Sequence, residues 1–186
     1  MITRSELLEG WSAEEIVTVS GELLAGVDLS APARRLLAEV GLPRTFPYYF
    51  TAVADDREDP GVDVADRASL IGPYRWRDHE LLRLGSNYGE YVCLEPRSGH
   101  VLSLPRQGSD APRSEFMNSS VQAFAAFLLR VRLRQLAGGL DEFGDEELEA
   151  RARVFAEALR ALDPLALVDE EAFWSVMVEQ MGYGHR

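Results

Sequence analysis

Apolar residues recur at helical spacing at both ends of this chain and in short strand-like runs through its middle. Thr3-x-x-Glu6 and Ser12-x-x-Glu15 each fit a capping box. The first opens a short helix through "SELLEGW" that ends near Gly10. "EIVTVS" is rich in β-branched residues and reads as a strand in spite of the second box. "LSAPARRLLAEVGLP" reads as a helix. Ser30 can cap it, Pro32 sits in its first turn, Leu36, Leu37 and Val40 form its apolar stripe, and Gly41 and Pro43 stop it.

Residues 46–104 change character. "FPYYFTAVA" is aromatic and strand-like, and the loop "DDREDPGVDVAD" follows with six acids, one arginine and a Pro-Gly break. "ASLIGPYRW", "ELLRLG", "EYVCLE" and "HVLSL" are short apolar runs divided by Gly, Pro or charge, the pattern of an antiparallel meander. "SEFMNSS" ends the sheet region, and Asn118 or Ser119 caps a long helix with apolar positions Val121, Phe124, Phe127, Leu128, Val131 and Leu136. Gly138 and Gly139 stop it; "DEELEARARVFAEALRALDP" and "EEAFWSVMVEQM" give two more helices, parted at Asp163-Pro164. Helices, an antiparallel sheet, then helices predict a single α+β domain over 1–186.

Composition narrows the setting. With 186 residues the chain can bury a core without metal or disulfide support. No cationic start with an apolar run opens it, and Arg130, Arg132 and Arg134 interrupt its longest apolar stretch, so a soluble, cytoplasmic protein away from membranes is expected. Its one cysteine fits a reducing compartment. Charge changes the picture more. The net charge is −12, every basic residue is arginine, and residues 139–186 hold twelve acids against four arginines. Such a surface repels phosphate backbones and attracts basic proteins, so a basic protein partner is expected and direct nucleic-acid binding is not.

Candidate chemistry is sparse. In "EYVCLEPRSGHVLSL" a hairpin with Pro96-Arg97-Ser98-Gly99 as its loop sets Leu94 opposite Val101, Cys93 opposite Leu102 and Tyr91 opposite Leu104. Cys93 and His100 then share a face only as diagonal neighbours, roughly 7–8 Å apart, too far for a thiolate–imidazole pair. Cys93 reads as a small buried hydrophobe among Tyr91, Leu102 and Leu104. Gly85 and Gly89 lack phosphate-loop spacing and read as positive-φ residues between strands. The acids Asp55, Asp56, Glu58 and Asp59 lack the alternation of a calcium loop and read as a solvated loop. No catalytic residue, metal site, cofactor or small-molecule substrate is assigned.

Three segments in order carry a likeness: "LLAEVGLP" (36–43) before an aromatic strand, the hairpin "LGSNYGEYVCLEPRSGHVLSL", and "EFMNSSVQAFAAFLL" opening the long helix. Together they resemble the SUKH superfamily of bacterial immunity proteins, specifically its SUKH-4 branch, widespread in actinobacteria. The likeness covers roughly 1–137, and 139–186 reads as a helical extension packed on that core. The resemblance implies an α+β fold and a non-enzymatic role, binding a cognate polymorphic toxin and blocking it in the producing cell. Toxins of this class are often nucleases or nucleic-acid deaminases, whose domains are commonly basic. A general interaction or scaffold module with a non-toxin partner is the alternative reading, and a small thiol or carboxylate enzyme a third.

A blocking protein needs aromatic anchors among charges complementary to its target. The expected partner-binding residues are Asp55, Asp56, Glu58 and Asp59, beside the run Tyr48-Tyr49-Phe50, together with Tyr88 and Glu90 in the turn 86–90. The acidic helix start at Asp145-Glu146-Glu147 is the rival surface.

Overall fold

The computed structural model describes residues 1–52, 71–87, 90–105, 114–137 and 145–182. Both capping boxes form. The Glu6 N–H donates to Thr3 Oγ1 at 3.3 Å while the Glu6 carboxylate accepts from the Thr3 N–H at 2.7 Å, which opens α1 (Arg4–Leu7). Ser12 and Glu15 close a 3-10 turn at Ala13–Glu15. The strand read from "EIVTVS" shrinks to β1 (Ile16–Val17), paired with β2 (Leu42–Pro43). It stops because the Val19 N–H turns to Leu37 O at 2.8 Å and Ser20 then caps α2 (Gly21–Ala25), a helix the apolar pattern did not reveal.

Ser30 caps α3 (Ala31–Arg35) as expected, and the helix widens into a π-turn over Leu36–Val40. Gly41 then reverses the chain at φ 91°, where a Cβ would lie 2.6 Å from Val17 O and from Ile16 Cγ2. Only glycine fits there. The aromatic run is a tight hairpin and not one strand: β3 (Thr45–Phe46) and β4 (Phe50–Thr51), closed where the Tyr49 N–H donates to Phe46 O at 2.9 Å. Pro47 has no N–H to offer a longer ladder.

The remaining strands are β5 (Gly72–Trp76), β6 (His79–Asn87), β7 (Glu90–Leu94), β8 (Val101–Leu104) and β9 (Glu115–Asn118). All pair antiparallel in one seven-stranded sheet, in the order β3-β4-β6-β7-β8-β9, with β5 also on β6. β6 is the spine. β7 lines one side of it, while β5 occupies the first half of the other side and β4 the last.

The strand β6 also runs through Gly85, where a turn was expected. Gly85 has no positive φ; it lies beside a bulge, and a Cβ on it would overlap Thr51 O and sit 2.6 Å from Phe50 Cε2. Its reason is close approach of β4, not turn geometry.

The 17-residue helix α4 (Val121–Ala137) crosses one face of the sheet. Val121, Phe124, Phe127, Leu128 and Val131 are fully buried there, whereas Leu136 is 53% exposed and belongs to no stripe. Phe124 meets Phe50 of β4 edge-on at 5.2 Å, and Phe127 meets Trp174 at 5.1 Å. The expected cap is one residue late: Ser120 Oγ accepts from the Ala123 N–H at 3.1 Å. Asn118 is still in β9 with its side chain in the core.

That side chain joins the sheet to the C-terminal helices α5 (Asp145–Leu162) and α6 (Phe173–Gly182). Asn118 Nδ2 donates to Asp163 Oδ2 at 3.1 Å, and its Oδ1 accepts from Trp174 Nε1 at 2.9 Å. The Ser119 N–H donates to the same Asp163 oxygen at 2.8 Å, and the Phe173 N–H to Glu115 Oε1 at 2.6 Å. Asn118, Asp163 and Trp174 are 0–1% exposed, so these bonds have no competition from solvent.

Candidate partner-binding surface

Of the six expected partner-binding residues, Asp55, Asp56, Glu58, Asp59 and Tyr88 lie outside the described residues. Their roots are described. Ala52 follows β4, whose Thr51 pairs with Ser86, and Ile71 precedes β5, whose Gly72 pairs with Arg83. The acidic loop therefore leaves and rejoins the sheet at mid-length of β6, between β4 and β5. Since β4 runs antiparallel to β6, the hairpin tip before it reaches the end of the sheet where β6 turns into β7. Tyr48 sits at that tip, 68% exposed and at φ 69°. A large residue held in the left-handed region is strained, and such strain collects at functional positions.

Glu90 is half-buried and tied down: its carboxylate accepts from the Ser103 hydroxyl across β7 and β8. It ties β7 to β8.

The hairpin register is as the sequence predicted, Leu94 with Val101, Cys93 with Leu102 and Tyr91 with Leu104. Alternation sends Val92 and Leu94 into the main core and Tyr91 and Cys93 to the opposite face, in a second cluster with Leu81 and Leu104. Cys93 is fully buried, and burial pushes its thiol up to about 12, so at neutral pH it is not a thiolate. His100 packs edge-on against Phe116 at 5.2 Å. The two form no dyad.

A feature the sequence reading missed lies at the β5–β6 hairpin. Trp76 pairs with His79 around the two-residue turn Arg77-Asp78, and Arg77 takes φ 53°. Its guanidinium stacks 4.4 Å over the Trp76 ring, while that of Arg83 lies 5.0 Å over Tyr91. Beside them opens a cleft of about 840 Å³ with Asp28, Tyr74, Arg75, His79, Glu80 and Arg97 on its walls. His79 Nδ1 is 3.1 Å from Glu95 Oε1, and Ser98 Oγ donates to Glu95 Oε2 at 2.6 Å. The Ser98 hydroxyl first, and then the His79 ring, hold the Glu95 carboxyl below its ordinary range. Trp, Tyr and Arg are the side chains that concentrate interface energy. The signal was the run Tyr74-Arg75-Trp76, read only as strand, with Arg77 directly after it.

Among the described residues no three His, Cys, Asp or Glu side chains converge as metal ligands. No described helix is long and apolar enough to cross a membrane. A family model described as SUKH-4 immunity protein matches residues 2–180, through α5 and most of α6 and well past residue 137. No curated protein and no solved structure matches the chain.

Proposed function

The chain belongs to the SUKH-4 immunity protein family, and from that membership we propose that it binds a cognate protein toxin and covers the toxin's working surface in the producing cell. The match over residues 2–180 carries this reading. The net charge of −12 bears on the partner: the toxin is a basic domain acting on nucleic acid, a nuclease or a deaminase. The immunity protein itself touches no nucleic acid and uses no cofactor or catalysis; it works in the cytoplasm as a single domain.

The acidic loop with Asp55, Asp56, Glu58 and Asp59 acts in this reading as a steering charge. Field attraction reaches about 8 Å at physiological salt before screening removes it, and it sets the association rate more than the final affinity. Tyr88, expected from the sequence in the turn 86–90, acts in this reading as a contact residue.

The test is titration of this protein into the toxin domain encoded by the neighbouring gene, with nucleic-acid cleavage or deamination as the readout. Stoichiometric loss of activity is expected, with no effect on an unrelated toxin of the same chemistry. Full toxin activity at a large molar excess would sink the proposal.

A further inference from the structure

Helix α5 is apolar over more of its circumference than the core uses. Leu148, Ala152, Ala156 and Leu159 recur at helical spacing and are buried. On the neighbouring face Val154, Ala158 and Leu162 recur at the same spacing and are exposed. Beyond the extended Asp163, the 3-10 turn Pro164–Leu167 adds exposed Leu165 and is followed by exposed Val168. Val154, Leu162, Leu165 and Val168 are 63%, 42%, 56% and 73% exposed, half of the exposed large apolar side chains among the described residues. Such a concentration of exposed apolar side chains, a ridge along two consecutive elements of a highly charged protein, marks an interaction site.

Beside the ridge runs a groove of about 410 Å³ between α4 and α5, with Val154, Phe155 and Ala158 on one wall. The Arg134 guanidinium lies 5.2 Å over the Phe155 ring at its base. Arg134 Nε and Nη2 are buried and have no acceptor among the described residues, and only Nη1 reaches one, Arg151 O at 3.4 Å. Buried donors without an acceptor are rare in a finished interior. The acids Asp169, Glu170 and Glu171, which directly follow the ridge in the chain, are exposed, while Arg151 is paired with Glu147 at 3.0 Å. Arg153 and Arg160 are also exposed on α5 but do not lie on its apolar stripe.

We infer that this ridge and groove form the docking site for an amphipathic, basic segment of the toxin. Its apolar side seats on the ridge and its cations meet the surrounding acids. The inference rests on the immunity reading and names the surface that reading leaves open. Steering by the acidic loop is compatible with it, since long-range attraction needs no contact at the docked surface.

The experiment measures binding of the neighbouring gene's toxin domain to three proteins: wild type, Leu165→Asp/Val168→Asp, and Glu22→Ala as a control on the exposed side of α2. The ridge side chains are exposed, so the double variant keeps the wild-type melting temperature. Its affinity falls about 100-fold or more, chiefly through faster dissociation, and Glu22→Ala binds like wild type. Hydrogen exchange on the wild-type complex, which needs no variant to fold, shows protection over residues 154–168. Wild-type affinity in a folded ridge variant, or protection confined to other segments, overturns the docking site and leaves the immunity function standing. A ridge variant that alters only self-association of the free chain overturns it as well. Absence of wild-type binding to the toxin overturns the functional reading and this inference together.

Discussion

Replacing Asp163 with alanine tests whether the C-terminal helices are part of one cooperative fold. Asp163 is 1% exposed, so no bulk water takes the place of the lost carboxylate. Two donors, Asn118 Nδ2 and the Ser119 N–H, lose their common acceptor. Each orphaned buried donor costs about 1–3 kcal/mol, so the pair costs about 2–6 kcal/mol. An offset follows from no longer desolvating a carboxylate whose Oδ1 has no partner among the described residues, which leaves a net loss of about 2–4 kcal/mol. A chain of this size loses about 2–4 °C per kcal/mol, so the melting temperature falls by about 5–15 °C. Urea unfolding followed by tryptophan fluorescence suits the purpose, because Trp174 belongs to the same network. A single transition displaced to lower urea with unchanged slope is expected. A loss below about 0.5 kcal/mol, typical of a surface site, would refute the idea that this network ties α5 and α6 to the sheet.

Three further outcomes follow from the geometry. Because burial raises the Cys93 thiol from 9.0 to about 12, the unfolded chain ionises first as pH rises; the Cys93 contribution to stability is full below about pH 9 and lost towards pH 12, and Cys93→Ala flattens that decline in urea titrations. A slope unchanged by the substitution would place the thiol elsewhere than the second cluster. Gly85→Ala forces β4 away from β6 and costs at least about 2 kcal/mol by chemical denaturation; a neutral result would contradict the close approach of Thr51. Charge reversal at Asp55, Asp56, Glu58 and Asp59 slows toxin association and weakens its salt dependence without changing the melting temperature; unchanged stopped-flow rates would remove the loop from the encounter.

What could be read in advance was what is local in the chain. Thr3 and Glu6 form their box because both partners lie within one turn, and the register of Cys93 with Leu102 follows from the short Pro96-to-Gly99 loop and strand alternation. Asn118 defeated the same reasoning. Before "SVQAF" an Asn looks like a cap, and its actual partners lie 45 and 56 residues downstream, at Asp163 and Trp174. Gly85 failed for a related reason, since its cause is the Thr51 backbone on another strand. The exposure of Val154, Leu162, Leu165 and Val168 was not legible either, because amphipathic spacing gives the face of a helix but not whether a neighbour covers it.

The most direct measurement is survival of cells expressing the neighbouring toxin domain with and without this protein. Co-expression restores growth, and a complex of the two purifies intact at physiological salt. Cells that die equally in its presence, with both proteins folded and expressed, would contradict the immunity function at its root.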